Sequence, residues 1–158
     1  MEVNHEYIIC NKKRSLIITS LIASIYIGGM NLALATGVNV ILSGEEEVPP
    51  VTTSAIGESN IKVESDTSIS GAISTTGIDG TTAHIHEAPV GKNGPVIVTL
   101  KKVSDKIWEI PSGTRLTQGQ FANFKAGNLY LNVHSAVHKS GEIRGQITEN
   151  KLSHNFKK

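Results

Sequence analysis

Four of the six histidines fall in two close pairs, His84-Ile85-His86 and His134-x-x-x-His138. Residues two apart on a strand point to the same face, so His84 and His86 can offer two imidazoles to one metal ion while Ala83 and Ile85 turn the other way. His134 belongs to the polar face of a different candidate strand, where a third ligand would come from. Three neutral imidazoles with a fourth position open to water or substrate suit copper, and after it zinc. His138 sits in a turn and is a candidate fourth ligand. Glu87, Asn132 and Glu142 are candidate acceptors for the ring N–H groups that do not face the ion. The alternative is a hydrogen-bonded polar strand face with no ion, on which a histidine bonds a glutamate across the sheet. His154 lies in the polar tail and is read as solvated.

The element that must position His134 is the stretch Leu129 to Ile147, LYLNVHSAVHKSGEIRGQI. Two runs with period-2 alternation flank a short polar link, the pattern of a β-hairpin. Leu129, Leu131 and Val133 share one face with Ile143, Gly145 and Ile147 of the second run. Tyr130, Asn132 and His134 take the other face with Glu142, Arg144 and Gln146. Closing Ser135 against Gly141 sets His134 opposite Glu142, Asn132 opposite Arg144, and Tyr130 opposite Gln146. A slip of one residue would break that match. Arg144 then bridges to Glu142 or Asn132, or guides a small anion toward a metal. The bridge is the reading taken here, because an arginine among polar neighbours needs no ligand.

The rest of the chain reads as short strands with turn signals between them. Val38 to Leu42 is rich in β-branched residues, and Gly44 with Glu45, Glu46 and Glu47 ends it. The acidic run could attract a cation but is read as solvated. Pro49-Pro50 removes two N–H donors and marks an edge or crossover. Strands follow at Ser54–Glu64 and Thr67–Thr75 with Asp66 in the turn, then at Thr81–His86. Pro89 to Pro95 (PVGKNGP) is a surface loop by composition. Val96 to Leu100 is nearly continuously apolar, as a buried strand would be. Lys106 to Ile110 carries Trp108, which, like Tyr130, is read as core or rim packing. Thr117 and Gln120 have capping-box spacing, so a helix of about two turns can run to Lys125 with Gly127 as its stop. About eight short strands and one small helix suggest a β-sandwich or barrel.

The first 35 residues stand apart from that domain. Lys12-Lys13-Arg14 precedes the uncharged, mostly apolar Ser15 to Leu34, and Ala33-Leu34-Ala35 has the small-x-small pattern of a cleavage site. We read a secretory signal over 1–35, a domain over 36–150 and a polar tail over 151–158. The rival reading is an uncleaved membrane anchor at residues 15–34, since the run is about long enough to span. Either reading places the domain outside the cytoplasm. From residue 36 on, ten lysines and two arginines face twelve acidic residues. With no basic stripe and few aromatics, nucleic acid is excluded as a partner. The single cysteine, Cys10, lies in the signal, so any metal site lacks a thiolate and no internal disulfide can form. Neither a G-x-S-x-G nor a phosphate loop is present, which argues against a hydrolase or nucleotide enzyme.

Several separated motifs resemble, in order, the CHRD domain, a module named after chordin that also occurs in secreted microbial proteins. They are Leu42 to Val51 (LSGEEEVPPV), Ala83 to His86, Gly91 to Val96, Trp108, Pro111, Leu116-Thr117, Gly127 to His134 and Gly141 to Gln146. The resemblance runs from about Val40 to Ile147 and implies an extracellular all-β domain. It implies little chemistry, because most such domains have no assigned function. In chordin they accompany cysteine-rich modules in an antagonist of growth factors. This chain has no such modules, so growth-factor binding is not carried over. His84-Ile85-His86-Glu87 and Val133-His134 are also similar to the copper ligands of Cu/Zn superoxide dismutases, with Arg144 in a comparable place. A zinc loop is not recognisable, and the barrel disulfide of those enzymes cannot form.

The expectation is therefore an all-β, Greek-key immunoglobulin-like or superoxide-dismutase-like β-sandwich or barrel with one short helix. It would be secreted, monomeric or weakly associating, and would bind copper or zinc through His84, His86, His134 and His138. The alternatives are a copper-only dismutase-like enzyme and a metal-free module for an envelope or extracellular protein partner. A membrane is a partner only if the N-terminal segment stays uncleaved.

Overall fold

A computed structural model describes residues 37–148. The segment read as a signal, Cys10, His154 and the polar tail lie outside the described residues. Nine strands form: β1 (Val38–Ser43), β2 (Ile56–Val63), β3 (Ile69–Thr76), β4 (Gly80–Glu87), β5 (Val96–Thr99), β6 (Lys101–Lys102), β7 (Ile107–Glu109), β8 (Leu129–Ser135) and β9 (Ile143–Ile147). Among the described residues one α-helix, α1 (Gln118–Lys125), lies between β7 and β8, and a single 3-10 turn follows β1 at Gly44–Glu46. All strand pairs are antiparallel, in the order β5-β4-β8-β9-β1-β2-β3-β7-β6. Among the described residues no helix is long and apolar enough to cross a membrane.

The first and last strands of that order, β5 and β6, are separated in sequence by Leu100 alone. Leu100 is buried, and its N–H donates to Ala83 O at 2.9 Å. Lys102 Nζ reaches Gly80 O at 2.9 Å from the same side. The sheet therefore bends round until its two ends meet at one residue, giving a nearly closed barrel. Nine strands form where about eight were expected, because this turn splits the run near Leu100 into β5 and β6.

Alternation sets what fills the interior. Val38, Val40 and Leu42 of β1 point inward while Asn39 and Ile41 point out. Ile61, Ile73, Ala83 and Ile85 continue the core, and Trp108 closes it with its ring buried. The packing role read for Trp108 holds. The β8–β9 hairpin pairs Tyr130 with Gln146, Leu131 with Gly145, Asn132 with Arg144 and Val133 with Ile143, which is the register expected from the pattern. Leu129, Leu131 and Val133 are completely buried, and each such side chain is worth about 1.5–3 kcal/mol of apolar transfer.

The capping box also forms. Gln120 N–H donates to Thr117 Oγ1 at 3.2 Å, and Thr117 N–H donates to Gln120 Oε1 at 2.8 Å. At the other end Asn128 N–H returns to Asn123 O, and Gly127 is the stop.

Val96 to Leu100 departs from expectation. Its strand, β5, is the edge of the sheet and is half-exposed, with Val96 48 % exposed. A continuous apolar run satisfies a strand covered on both faces, but among the described residues β5 pairs with β4 alone and its side chains are only partly covered. Of the five residues only Leu100, at the closing turn, is fully buried.

Gly145 shows how tightly β9 lies on β1. A Cβ there would strike the carbonyl oxygen of Ile41 and come within 2.6 Å of Val40 Cγ1. Backbone cannot yield as a side-chain tip can. Gly145→Ala is expected to lower stability by about 2–3 kcal/mol, against about 1 kcal/mol for loss of the helix cap in Thr117→Ala. Urea denaturation of both variants checks the order, and a smaller loss for Gly145→Ala would contradict this account of the β1–β9 contact.

Candidate metal centre

His84 and His86 project from β4 and His134 from the adjacent β8, all on the outer face of the sheet. Residue alternation turns Ala83, Ile85 and Val133 inward at the same points, so the core holds the backbone that carries the imidazoles. One ring nitrogen from each of the three lies within 4.8 Å of the others. His84 Nδ1 and His134 Nε2 are 3.0 Å apart. Two imidazole nitrogens, each about 2.0–2.1 Å from a shared ion, would be separated by about the same distance.

Backbone carbonyls orient two of the rings. His86 Nδ1 donates to Gly94 O at 3.0 Å, and His134 Nδ1 donates to Lys139 O at 2.9 Å. An N–H on Nδ1 leaves the lone pair of the neutral ring on Nε2. His134 Nε2 accepts from His84 Nδ1, while His86 Nε2 is buried with no partner among the described residues. A buried acceptor without a donor costs free energy, and an ion at the centre of the three rings would remove that cost. His84 Nδ1 would have to pass its proton to Nε2 to join such an ion.

Burial suits His84 and His86 to act as neutral ligands. His86 and His134 are each 9 % exposed, and His84 is half-buried. Desolvation holds His84 below the usual imidazole range, and the neighbouring His134 and His86 add to the effect. Desolvation also lowers His86. The Gly94 carbonyl opposes that shift, while His134 and the Arg144 cation reinforce it.

The residues expected to accept from the ring N–H groups are used elsewhere. Glu87 Oε1 accepts from Asn123 Nδ2 at 3.0 Å and ties β4 to α1. Glu142 Oε1 accepts from Thr53 Oγ1 at 2.8 Å. Asn132 Nδ2 donates to Glu47 Oε1 at 2.8 Å, and its Oδ1 is buried without a partner. His138 is outside the three-ring group, and its N–H donates to Ser135 Oγ. Arg144 pairs with Asn132 across the strands but does not use it as an acceptor. Its donors go to Lys92 O at 2.9 Å, Asn93 Oδ1 at 3.2 Å and Gln146 Oε1 at 3.2 Å. Its guanidinium carbon lies 3.6 Å from the centre of the Tyr130 ring, and the residue is 1 % exposed. The expected bridge to Glu142 or Asn132 is replaced by bonds to the loop, which reaches over the strand.

Three features were beyond the sequence reading. Tyr130 stacks on His86 with ring centres 4.8 Å apart and planes 9° apart, so it is a wall of the site as well as packing. The two carbonyl acceptors belong to loops and leave no trace in side-chain types. Glu47, read as part of a solvated acidic run, is 6 % exposed, whereas Glu45 and Glu46 are exposed. Its burial follows from the bond to Asn132 of β8, a partner far away in sequence.

Burial pushes the Glu47 carboxyl up to about 7, against the opposing pull of the Asn132 hydrogen bond and the Arg144 charge.

The CHRD domain family matches residues 38–147, and the chain belongs to that family. No curated protein and no solved structure matches the chain.

A raised carboxyl pKa has a definite sign in stability. Between about 4.5 and about 7 the folded protein holds a Glu47 proton that the unfolded chain has released. Stability from this group therefore falls as pH rises through that window and is flat above it. The lowered histidines act in the opposite sense, so comparison with Glu47→Gln isolates the carboxyl. Melting temperatures of the metal-free proteins should coincide near pH 4.5, and the variant should melt a few degrees higher at pH 8. Parallel curves at all pH values would show that Glu47 titrates as an ordinary carboxylate.

Proposed function

We propose that this CHRD domain is an extracytoplasmic metal-binding module that holds one copper ion, or in second place zinc, through His84, His86 and His134. The observation that carries the reading is the three-nitrogen cluster, together with the buried Nε2 of His86, which has no partner among the described residues. The donor set has three imidazoles and neither carboxylate nor thiolate, which disfavours magnesium, calcium and manganese and suits copper and zinc. Location outside the cytoplasm rests on the basic Lys12-Lys13-Arg14 and the apolar run to Leu34, whether that segment is cleaved or kept as an anchor. As a module the domain would hold or buffer the metal, with His84 on the more exposed side of the cluster.

A copper-only dismutase-like enzyme is the second reading. The placing of His84 and His86 on one strand and His134 on its neighbour favours it. Its proposed anion guide, Arg144, is buried under the Lys92–Asn93 backbone with its donors engaged, which favours holding the metal over steering an anion to it.

Calorimetric titration of the protein with copper(II) and with zinc(II) tests the proposal. One ion per chain should bind, with copper the tighter. His84→Ala, His86→Ala and His134→Ala should each lose at least about 100-fold in affinity, beyond the 10–100-fold typical of an outer partner. His138→Ala should stay near wild type. Binding that survives in all three ligand variants would remove the site. Superoxide turnover by the copper-loaded protein would promote the second reading.

A further inference from the structure

The loop that orients His86 is fastened residue by residue. Arg144 Nη2 donates to Lys92 O, and Nη1 donates to the Asn93 side chain. Asn93 Nδ2 donates to Val48 O at 2.6 Å, and Gly94 N–H donates to the Tyr130 hydroxyl at 3.3 Å. Glu87 N–H donates to Pro95 O at 3.1 Å. Position 94 also meets β4 at backbone contact, since a Cβ there would collide with the Glu87 carbonyl oxygen. The outcome is a carbonyl, Gly94 O, held 3.0 Å from His86 Nδ1.

We propose that Arg144, acting through the Lys92–Gly94 backbone, is a positioning residue of the metal centre: it holds Gly94 O where it selects the Nδ1–H tautomer of His86 and leaves Nε2 free to bind the ion. The proposal rests on the metal-binding reading above. Tyr130 fixes the plane of the His86 ring by stacking on it. Stacking alone does not distinguish the ring from its 180° flip, which would point Nδ1 away from the loop. The carbonyl makes that distinction, because only an Nδ1–H can bond it.

Arginine suits the task and lysine does not. The planar guanidinium lies on the Tyr130 ring and reaches acceptors on two successive loop residues through separate nitrogens. His134 provides an internal comparison. Its Nδ1 is held by Lys139 O, from a different loop, and none of the Arg144 donors reaches that loop.

The test measures tautomers and affinity together. Full-chain protein carrying ¹⁵N-labelled histidine is studied by NMR without metal, beside zinc(II) titrations, for wild type, Arg144→Lys and Asn93→Ala. In wild type both His86 and His134 should be protonated at Nδ1. In the variants His86 should become a mixture of tautomers and zinc affinity should fall about 10–100-fold, while His134 stays as in wild type. Asn93 is exposed, so Asn93→Ala should keep the fold and gives the partial effect of losing one of the two Arg144 bonds to the loop. Arg144→Gln, which removes the charge but keeps an amide, takes the place of Arg144→Lys if that variant unfolds. A single unchanged His86 tautomer in a folded Arg144 variant overturns the proposal, even if affinity drops. Absence of zinc and copper binding in wild type would defeat the metal reading, and the metal-free tautomers would still decide what Arg144 does.

Discussion

A guanidinium cannot be buried in a barrel wall with its donors empty, because the charge would lose its water and gain nothing in return. Arg144 is almost wholly inaccessible, and the loop that lies over the outer face of β8 and β9 is placed where its side chain is satisfied. Lys92 O and Asn93 Oδ1 have to come down to it, so the loop between β4 and β5 folds over the sheet instead of standing away. Tyr130 lies flat against the cation. Glu47 arrives on the opposite loop with its carboxyl on Asn132. The result is that β8 is buried along its full length, apolar side chains on the inner face and polar ones on the outer.

The same arrangement governs the charge of the imidazoles. Arg144 and His86 reach the Tyr130 ring from the strands on either side of β8. A fixed cation so placed disfavours a second positive charge on His86, adding to the larger effect of desolvation. The Glu47 carboxyl, pushed up to about 7 by burial, gives only partial compensation near neutral pH. The neutral form of His86 is thus favoured by its burial first and by the nearby cation second.

What could be read from the chain was what repeats locally. The alternation in LYLNVHS and EIRGQI gave the hairpin and its register, because a one-residue slip would have put Arg144 among the leucines. Thr117 and Gln120 announced the helix start through chemistry confined to four residues. The His84 and His86 pair needed only strand geometry, and bringing in His134 needed only that β4 lie beside β8. Partners set by the folding of loops were not legible. Glu142, Asn132 and Glu87 looked like suitable acceptors for histidine, yet each bonds a group from a distant segment, and the acceptors used are main-chain oxygens with no sequence signature. The apolar Val96 to Thr99 misled for a related reason, since composition does not say whether a strand has a neighbour on both sides.

The use of carbonyls in place of carboxylates has a chemical consequence. A carboxylate behind an imidazole makes the ring more basic, adds a negative charge near the ion, and changes both with pH. A carbonyl fixes the tautomer equally well and contributes no net charge. An ion held by His84, His86 and His134 would therefore keep its full formal charge, with a guanidinium beyond Tyr130 and no carboxylate bonded to the rings among the described residues. Such a setting supplies less negative charge at the three rings than a carboxylate-backed one, so the backbone acceptors would orient the ligands without compensating the ion.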